Sequence, residues 1–510
     1  MIKKILLPLL VSIPQVSFAE YNIHLINNTG KILTFDGGVD SLISGCRVPD
    51  SGEYQAEEGE IAPFESKKIF ENDFNYWSSN EKYCYYTMIT DPESKDQMKL
   101  YWEVISKSLV KAEFTKAGFK VKNSGDNAVF FESKPETSST ENNVVLYKED
   151  NITFSNDEDR FSVYSVVVDD TSELMQKIDD VYFVIESESS AKKFNRESSG
   201  NTLTSLSYNV KVWPPYSGVV EAAGGIYDNK YQERSKLIGD LSNGYDIVAY
   251  QEFFDRCERL RMIEDMKASG EYPYSVDAIG SGRPCDYKVN LSGSEVLSSG
   301  VLLLSHWPIV ESEQREFSQS SGTDAMARKG ITYAKVDKNG SIFHVFATHT
   351  QAGQGEDERN IRKAQFTELV NYINEKAKSA TDRVIVLGDL NVDLMACQTS
   401  GNCDEFNNTV GRISHSESIN WSNNDIIPFS LDGSKNTMMS GDETSKKKYL
   451  DYILYHKDFS LPSSAENRLR IMRGLNSEKM YSDKSDSLKN TIGRIDLSDH
   501  FAIESKAVFN

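Results

Sequence analysis

The chain has 510 residues, of which 39% are hydrophobic and 26% are charged. These fractions are ordinary for a globular protein and exclude disorder of the whole chain. The length predicts two to four domains, at about 150 residues per domain. With 77 acidic and 56 basic residues, the net charge is -21. This excess argues against a protein that binds nucleic acid by neutralising its phosphates, although a nuclease with a local basic groove stays open.

Residues 1–19 have the pattern of an export signal. Lys3 and Lys4 precede an apolar stretch from Ile5 to Val16, and Ser17-Phe-Ala19 supplies small residues for cleavage. The apolar stretch is shorter than the roughly 20 residues that a membrane-spanning helix needs. We therefore expect cleavage before Glu20 and a secreted protein, with retention in the periplasm as the open alternative.

Six cysteines follow the signal, an even number in a chain expected in an oxidising compartment. Their clustering along the sequence suggests sequential disulfide pairs, and the last two bracket a short polar loop that a disulfide could close. Zinc binding is the alternative, but no histidine lies near the pairs at ligand spacing. Disulfides are therefore predicted among Cys46, Cys84, Cys257, Cys285, Cys397 and Cys403.

Residues 20–195 are predicted to form a mostly-β accessory domain. Residues 21–26 alternate between apolar and polar, a polar turn follows at 27–30, and apolar residues resume at 31–35, as in a β-hairpin. Further strands are predicted over Phe161–Val168 and Val181–Ile185, and a helix over Leu100–Lys111. A polar, serine-rich stretch before residue 201 indicates a linker.

Aromatic residues are frequent in this accessory domain. They could form a contact surface for lipid or glycan, but core and cross-strand packing is the more common role for such residues and is our prediction. The residues concerned are Tyr76, Trp77, Tyr83, Tyr85, Tyr86, Tyr101 and Trp102.

Residues 196–510 alternate between strand and helix patterns. Apolar runs with β-branched content predict strands over 203–208, 246–250, 300–304, 342–347, 384–387, 449–454 and 501–508. Helical spacing between these runs predicts helices over 233–241, 256–268 and 358–377. Short buried strands mixed with amphipathic helices predict a layered α/β domain.

Polar side chains cluster at the ends of those strands, where layered α/β folds usually place their sites. Each alone is a weak signal, because a single aspartate after a strand is usually a turn former or a helix cap. Together they offer carboxylate and amide oxygens suited to Mg²⁺ and two imidazoles suited to proton transfer. The candidates are Asn209, Glu252, His349, Asp389, Asn391, Asp451, Asp499 and His500.

The motifs around these residues resemble the endonuclease/exonuclease/phosphatase superfamily and, within it, the secreted bacterial neutral sphingomyelinase C group. The resemblance covers most of residues 201–510 in the correct order, and the signal peptide and the Cys257/Cys285 and Cys397/Cys403 spacings are also similar to that group. It implies a DNase I-like four-layer α/β sandwich over 196–510, preceded by the smaller mostly-β accessory domain. The motifs are Ser299-Gly-Val-Leu-Leu-Leu-Ser-His-Trp-Pro-Ile309, Lys329-Gly330, His344-Val-Phe-Ala-Thr-His-Thr-Gln-Ala352, Gly388-Asp-Leu-Asn-Val-Asp393 and Asp496-Leu-Ser-Asp-His500.

By this resemblance the chain would hydrolyse sphingomyelin, or a related choline phospholipid of host membranes, to ceramide and phosphocholine. The ion would be Mg²⁺, with Mn²⁺ or Co²⁺ as substitutes, and contact with a membrane surface and haemolytic activity as a virulence factor are expected. Glu252 would be the principal metal ligand, with Asn209 near the metal and the phosphate. Asp389 and Asn391 would position the attacking water and the phosphate oxygens.

The resemblance also implies the proton-transfer groups. His500 would be the general base, Asp451 would orient its imidazole, and Asp499 would lie in the adjacent network of metal and water. His349, on the opposite side, would stabilise the pentacovalent phosphorus or assist the leaving oxygen.

Two alternatives stay open at this point. A nuclease or a phosphoinositide phosphatase could use the same scaffold, because substrate pockets are built from loops that the motifs do not cover. The acidic net charge and the Thr348-His-Thr-Gln-Ala352 element count against it, and no nucleic acid is expected as a partner. A non-catalytic binding module is disfavoured by the complete set of candidate residues.

Overall fold

The computed structural model describes residues 20–39, 46–47, 54–73, 81–93, 97–108, 111–122, 144–152, 161–168, 178–187, 192–214, 231–280, 285, 297–414, 428–439, 441–475 and 495–510. The predicted signal peptide and the aromatic pair Tyr76-Trp77 lie outside these ranges. The chain divides into two compact units, residues 1–191 and 192–510, close to the boundary predicted at 195/196. None of the helices within the described ranges is long and apolar enough to cross a membrane.

The N-terminal unit is built from strands, which confirms the predicted β domain. They form a six-stranded sheet in the order β3-β5-β1-β11-β10-β9 and a five-stranded sheet in the order β4-β2-β6-β7-β8. Strand β1 runs parallel to β11. The bounds are β1 (Glu20–Asn28), β2 (Leu33–Val39), β3 (Tyr54–Ala56), β4 (Glu58–Ile61), β5 (Ser66–Asp73), β6 (Glu81–Thr90), β7 (Gln97–Ser108), β8 (Lys111–Lys122), β9 (Val144–Ile152), β10 (Phe161–Val168) and β11 (Ile178–Ser187).

Side chains from both of these sheets share one buried core, as in a sandwich. The predicted helix over 100–111 is wrong, because residues 100–108 belong to β7. Met98, Leu100 and Trp102 are buried at every second position of that strand, which is the period of a strand and not of a helix. Tyr83 and Tyr85 are also buried, so the predicted core role is confirmed for these aromatic residues.

The C-terminal unit alternates strands and helices, as predicted. Its strands are β12 (Thr202–Val212), β13 (Ile247–Phe253), β14 (Tyr274–Val276), β15 (Leu302–Ser305), β16 (Ile309–Glu316), β17 (Gly330–Lys338), β18 (Ser341–His349), β19 (Arg383–Asp389), β20 (Leu431–Asp432), β21 (Lys447–Lys448), β22 (Asp451–Tyr455), β23 (Ser464–Arg470) and β24 (Ala502–Val508). Its α-helices are α1 (Tyr231–Leu241), α2 (Arg256–Ala268), α3 (Glu356–Lys376), α4 (Leu394–Ser400) and α5 (Asp404–Asn408), and short 3-10 helices cover Gly322–Met326, Val410–Arg412 and Gly441–Ser445.

These elements are arranged in layers. A six-stranded sheet has the order β14-β15-β13-β12-β24-β23, a five-stranded sheet has the order β16-β17-β18-β19-β22, and β20 pairs with β21. Met262 and Met266 of α2 pack with α1 and the six-stranded sheet in one apolar cluster. On the other sheet, the ring of Tyr372 in α3 lies 5.7 Å from that of Phe346. The order helices, sheet, sheet, helix is the predicted four-layer α/β sandwich.

Three disulfides connect Cys46 with Cys84, Cys257 with Cys285, and Cys397 with Cys403. The prediction of sequential disulfide pairs is confirmed.

Candidate active site

Strand register places three of the candidate side chains next to one another. His349 ends β18 and is the register partner of Asp389, which ends the parallel strand β19. Asp389 is in turn the register partner of Asp451, at the start of the antiparallel strand β22. A Cβ atom on Gly388 would lie 1.9 Å from the carbonyl oxygen of Thr348, so β18 and β19 can approach this closely only with glycine at that position.

The second sheet contributes Asn209 and Glu252. Asn209 is near the end of β12, and Glu252 is in the neighbouring parallel strand β13. The carboxamide nitrogen of Asn209 donates to Glu252 Oε1 at 3.1 Å and to Asp389 Oδ2 at 3.0 Å. One side chain therefore connects the two sheets at the site.

His500 completes the site from the segment before β24. Its Nδ1 atom lies 2.7 Å from Asp451 Oδ2, and its Nε2 atom lies 3.9 Å from Asp389 Oδ2. The neighbouring Asp499 accepts a hydrogen bond from Lys211 Nζ at 2.6 Å. The imidazole is thus held between carboxylates of the five-stranded sheet.

Asn391 belongs to the loop that follows β19. Its backbone nitrogen donates to Asp389 Oδ1 at 3.0 Å and its side chain donates to the carbonyl oxygen of Thr350 at 3.2 Å. The nearby Asp393 lies outside the candidate set: it caps α4, accepting from the nitrogen of Met395 at 3.1 Å. The structure therefore brings all eight predicted site residues together.

The backbone is strained at three positions of this site. Five non-glycine residues in the described part of the chain have positive φ, and three of them are Lys211 (47°), Glu252 (54°) and Asn391 (52°). Such conformations cost about 1–3 kcal/mol each and persist where the surrounding structure imposes them, which is common at functional sites.

Buried negative charge dominates the electrostatics. Burial, reinforced by the charge of Asp451, raises the pKa of Asp389 to about 6. Burial, reinforced by Asp499, also raises the pKa of Glu252. The positive charge near these two carboxyl groups does not offset burial and the neighbouring carboxylates. A bound cation would therefore stabilise the ionised form of each.

The two histidines of the site have opposite pKa shifts. Burial alone would lower the pKa of His500, but the charge and hydrogen bond of Asp451 outweigh it and raise that pKa to about 10. His349 has no such hydrogen bond, so burial, together with the neighbouring ammonium of Lys329, holds its pKa well below the usual range. At neutral pH and without a metal, His500 is protonated and His349 is neutral.

The donor set fits a divalent cation. Ligand atoms of Glu252, His349 and Asp389 lie within 4.8 Å of one another, and the same holds for Asp389, Asp451 and His500. His349 Nδ1 and Asp451 Oδ1 are buried without a hydrogen-bond partner, which is costly for polar atoms and is relieved by a ligand. Carboxylate-rich sets of this kind suit Mg²⁺ and Mn²⁺.

Two lysines of the site were not predicted as functional residues. Lys329 Nζ donates to Asp324 Oδ2 at 2.7 Å and to the carbonyl oxygen of Thr350 at 3.0 Å, and it lies 3.1 Å from His349 Nε2. The other lysine is Lys211. For Lys329 the available signal was the Lys329-Gly330 motif directly before the strand β17, and for Lys211 it was the position two residues after Asn209.

Comparison with known proteins agrees with this geometry. The profile of the endonuclease/exonuclease/phosphatase family matches residues 223–500, more than half of the chain. The chain belongs to the endonuclease/exonuclease/phosphatase family. The family resemblance predicted from the motifs is confirmed.

Similar proteins include two sphingomyelinases. Sphingomyelinase C 2 of Leptospira interrogans is 30% identical over 247 residues, which are 46% of this chain and 37% of that protein. Sphingomyelinase C of Bacillus cereus is 29% identical over 261 residues, which are 48% of this chain and 74% of that protein. The chain thus spans little more than a third of the Leptospira relative.

Among solved structures, a mutant of the beta toxin from Staphylococcus aureus with bound magnesium ions has a TM-score of 0.47 and 24% identity, covering 60% of this chain and 99% of that chain. The family match and the named relatives support a phosphoric diester hydrolase, as predicted.

Proposed function

We propose that this chain is a secreted, metal-dependent phosphodiesterase that hydrolyses sphingomyelin to ceramide and phosphocholine at a membrane surface. The observation that carries the proposal is the convergence of Glu252, Asp389 and the Asp451–His500 pair at one buried site between two sheets. Relatives named sphingomyelinase C support the choice of substrate.

Glu252 and Asp389 would hold the ion, with Asn209 beside it. When bound, a divalent cation would neutralise charge on a phosphate oxygen and on the leaving group. We assign Mg²⁺ to the site, with Mn²⁺ or Co²⁺ as substitutes, because most of the donors are hard oxygen atoms. Asn209 contributes by donating hydrogen bonds to Glu252 and Asp389, which keeps both carboxylates oriented.

His500 is the proposed general base. Its Nδ1 atom is bonded to Asp451, so Nε2 is the ring nitrogen that can take a proton from the attacking water. Because the surrounding carboxylates raise the pKa of His500 to about 10, the imidazole can act as a base only when part of that negative charge is offset. Proton transfer and occupancy of the metal site are therefore linked.

His349 and Lys329 form the opposite wall of the site. The neutral imidazole and the ammonium beside it would stabilise negative charge on the pentacovalent phosphorus or the leaving oxygen. Asp389 and Asn391 would position the water and the phosphate oxygens. The hydrogen bond from the backbone nitrogen of Asn391 to Asp389 Oδ1 fixes their relative orientation.

The test measures hydrolysis of sphingomyelin, phosphatidylcholine, a phosphoinositide and plasmid DNA by the purified protein, with Mg²⁺ or with EDTA. We expect release of phosphocholine from sphingomyelin, lost in EDTA and in Glu252→Gln. The matched control is Glu264→Gln, an exposed glutamate of α2, which should retain activity. Cleavage of DNA or release of phosphate from the phosphoinositide, with intact sphingomyelin, would favour the second candidate, a nuclease or phosphoinositide phosphatase.

Secretion is supported by the pattern of residues 1–19 and by three disulfides, which persist mainly in oxidising compartments. Mass spectrometry of the protein from culture medium should find an N-terminus at Glu20. Recovery only from the periplasm, or with Met1 intact, would contradict the proposal. Lysis of erythrocytes in the same medium tests the expected haemolytic role.

A further inference from the structure

Lys211 occupies a distorted part of β12 at the edge of the site. The register between β12 and β13 shifts between Asn209 and Val212, and Lys211 itself has a positive φ. Arg234, buried in α1, donates to the carbonyl oxygens of Val210 at 3.0 Å and Lys211 at 2.8 Å. These hydrogen bonds hold the backbone of the distorted segment, and they therefore fix the direction in which the Lys211 side chain leaves it.

The ammonium of Lys211 lies between Asp499 and solvent. Its Nζ atom is 2.6 Å from Asp499 Oδ2, yet the side chain keeps 25% of its surface exposed. The side chain of Lys329 is only 2% exposed, and that of His500 only 7%. Among the cationic groups of the site that the structure describes, Lys211 has the most contact with solvent.

Without an ion, the carboxylates of the site outnumber its cationic side chains. Four carboxylates lie in it, and a phosphodiester carries a further negative charge. Lys329 is buried and already donates to Asp324 and to the carbonyl oxygen of Thr350. An ammonium has three N–H donors, and for Lys211 the hydrogen bond to Asp499 accounts for one of them. The carboxylates are Glu252, Asp389, Asp451 and Asp499.

Resting on the proposed function, we propose that Lys211 is a substrate-binding residue whose ammonium is shared between Asp499 and a non-bridging oxygen of the phosphodiester. The chemical class it recognises is the phosphate monoanion of a diester, independent of the groups esterified to it. Lys211 would thus draw the phosphate to the mouth of an otherwise acidic site, while Asp499 keeps the ammonium in place when the site is empty.

The test measures binding directly, by ³¹P NMR titration of dimethyl phosphate into the Mg²⁺-loaded protein. Loss of a charge-assisted hydrogen bond should weaken binding about tenfold or more in Lys211→Met. Lys211→Arg should stay within about threefold of the wild type, because arginine keeps the charge. The matched control is Lys236→Met, which removes an exposed lysine of α1 that pairs with Asp240.

Unchanged affinity for dimethyl phosphate in Lys211→Met would overturn the proposal, even if kcat fell, because the lysine would then only position Asp499. Lys211→Ala repeats the comparison if the methionine variant has a lower melting temperature. With sphingomyelin we expect the loss mainly in KM. Because the titration requires no turnover, a wild type that leaves sphingomyelin intact would contradict the proposed function without deciding the role of Lys211.

Discussion

Asp451 Oδ2 and His500 Nδ1 lie 2.7 Å apart, although 49 residues separate them in the sequence. Asp451 begins β22 of the five-stranded sheet, and His500 lies two residues before β24 of the six-stranded sheet. The hydrogen bond therefore crosses between the two sheets, and both side chains are buried. The packing of the sheets is what assembles the proposed base, so small shifts between them should affect catalysis before they affect folding.

The first prediction concerns this pair. Asp451→Asn removes a negative charge that raises the pKa of His500 to about 10, so the imidazole should titrate at lower pH. We also expect kcat to fall about 100-fold, because the amide no longer fixes the imidazole and its tautomer as the carboxylate does. NMR titration of the metal-free protein and steady-state kinetics measure the two effects.

The control is Asp458→Asn, an exposed position three residues beyond β22. It should alter neither the titration of His500 nor kcat. If the titration of His500 were the same in Asp451→Asn as in the wild type, the carboxylate could not be the group that holds its proton.

Much of this site could be predicted because its residues come at the ends of strands. Alternation and apolar runs located the strands, and parallel strands place their carboxyl ends at one edge of a sheet. His349 and Asp389 are neighbours for that reason. Asn209 and Glu252 are neighbours for the same reason on the second sheet.

Two features were not predicted from the sequence. The lysine contacts of the site join residues that are far apart in the chain, and the strand β7 was predicted as a helix. Lys211 meets Asp499 across 288 residues, and Lys329 meets His349 only because β17 and β18 pair. No spacing in the sequence encodes either contact. The helix predicted over 100–111 failed because Met98, Leu100 and Trp102, buried on one face of β7, follow a period of two.

The second prediction concerns Asn209. Its hydrogen bonds lower the pKa values of Glu252 and Asp389, acting against the larger effect of burial. Asn209→Ala should raise both pKa values and remove the group that orients the two carboxylates. We expect affinity for Mg²⁺ to fall about 10- to 100-fold, measured by isothermal titration calorimetry.

Asn360→Ala, at an exposed position of α3, is the control and should bind Mg²⁺ as the wild type does. Wild-type affinity in Asn209→Ala would place the ion away from Glu252 and Asp389.

The third prediction compares two glycines. In Gly388→Ala the new methyl group would overlap the carbonyl oxygen of Thr348, so β18 and β19 must separate. We expect a loss of about 3 kcal/mol or more in the free energy of unfolding. Activity should also be lost, because the site residues His349 and Asp389 are the next residues along the two strands.

Gly401→Ala is the matched control. That residue has φ of 70°, and a methyl group added there would meet nothing within 4 Å, so only backbone strain of about 1 kcal/mol is expected. Urea unfolding of both variants measures the difference. Equal losses of stability would show that close approach of the strands is not what requires glycine at 388.

The fourth prediction is a pH dependence of stability that arises away from the active site. His344 in β18 is buried and stacks on Tyr333, and its Nδ1 atom lies 3.1 Å from the Tyr333 hydroxyl oxygen. Burial lowers the pKa of His344 in the folded protein, whereas the unfolded chain has the ordinary value of about 6.5. Above that pH the imidazole is neutral in both states and contributes no pH dependence.

As the pH falls below about 6.5, the unfolded state takes up a proton that the folded state does not, so the free energy of unfolding decreases. At pH 5.5 the loss from this one group is at most about 1.4 kcal/mol. Replacing both partners in Tyr333→Phe/His344→Phe removes this contribution without leaving a buried hydroxyl unpaired. Urea unfolding at pH 7.5 and 5.5 should therefore show a smaller loss of stability in the double variant than in the wild type.

The control is Tyr333→Phe alone, which keeps the imidazole and should retain most of the pH dependence. Equal losses in the wild type and the double variant would show that His344 is not a source of the acid sensitivity.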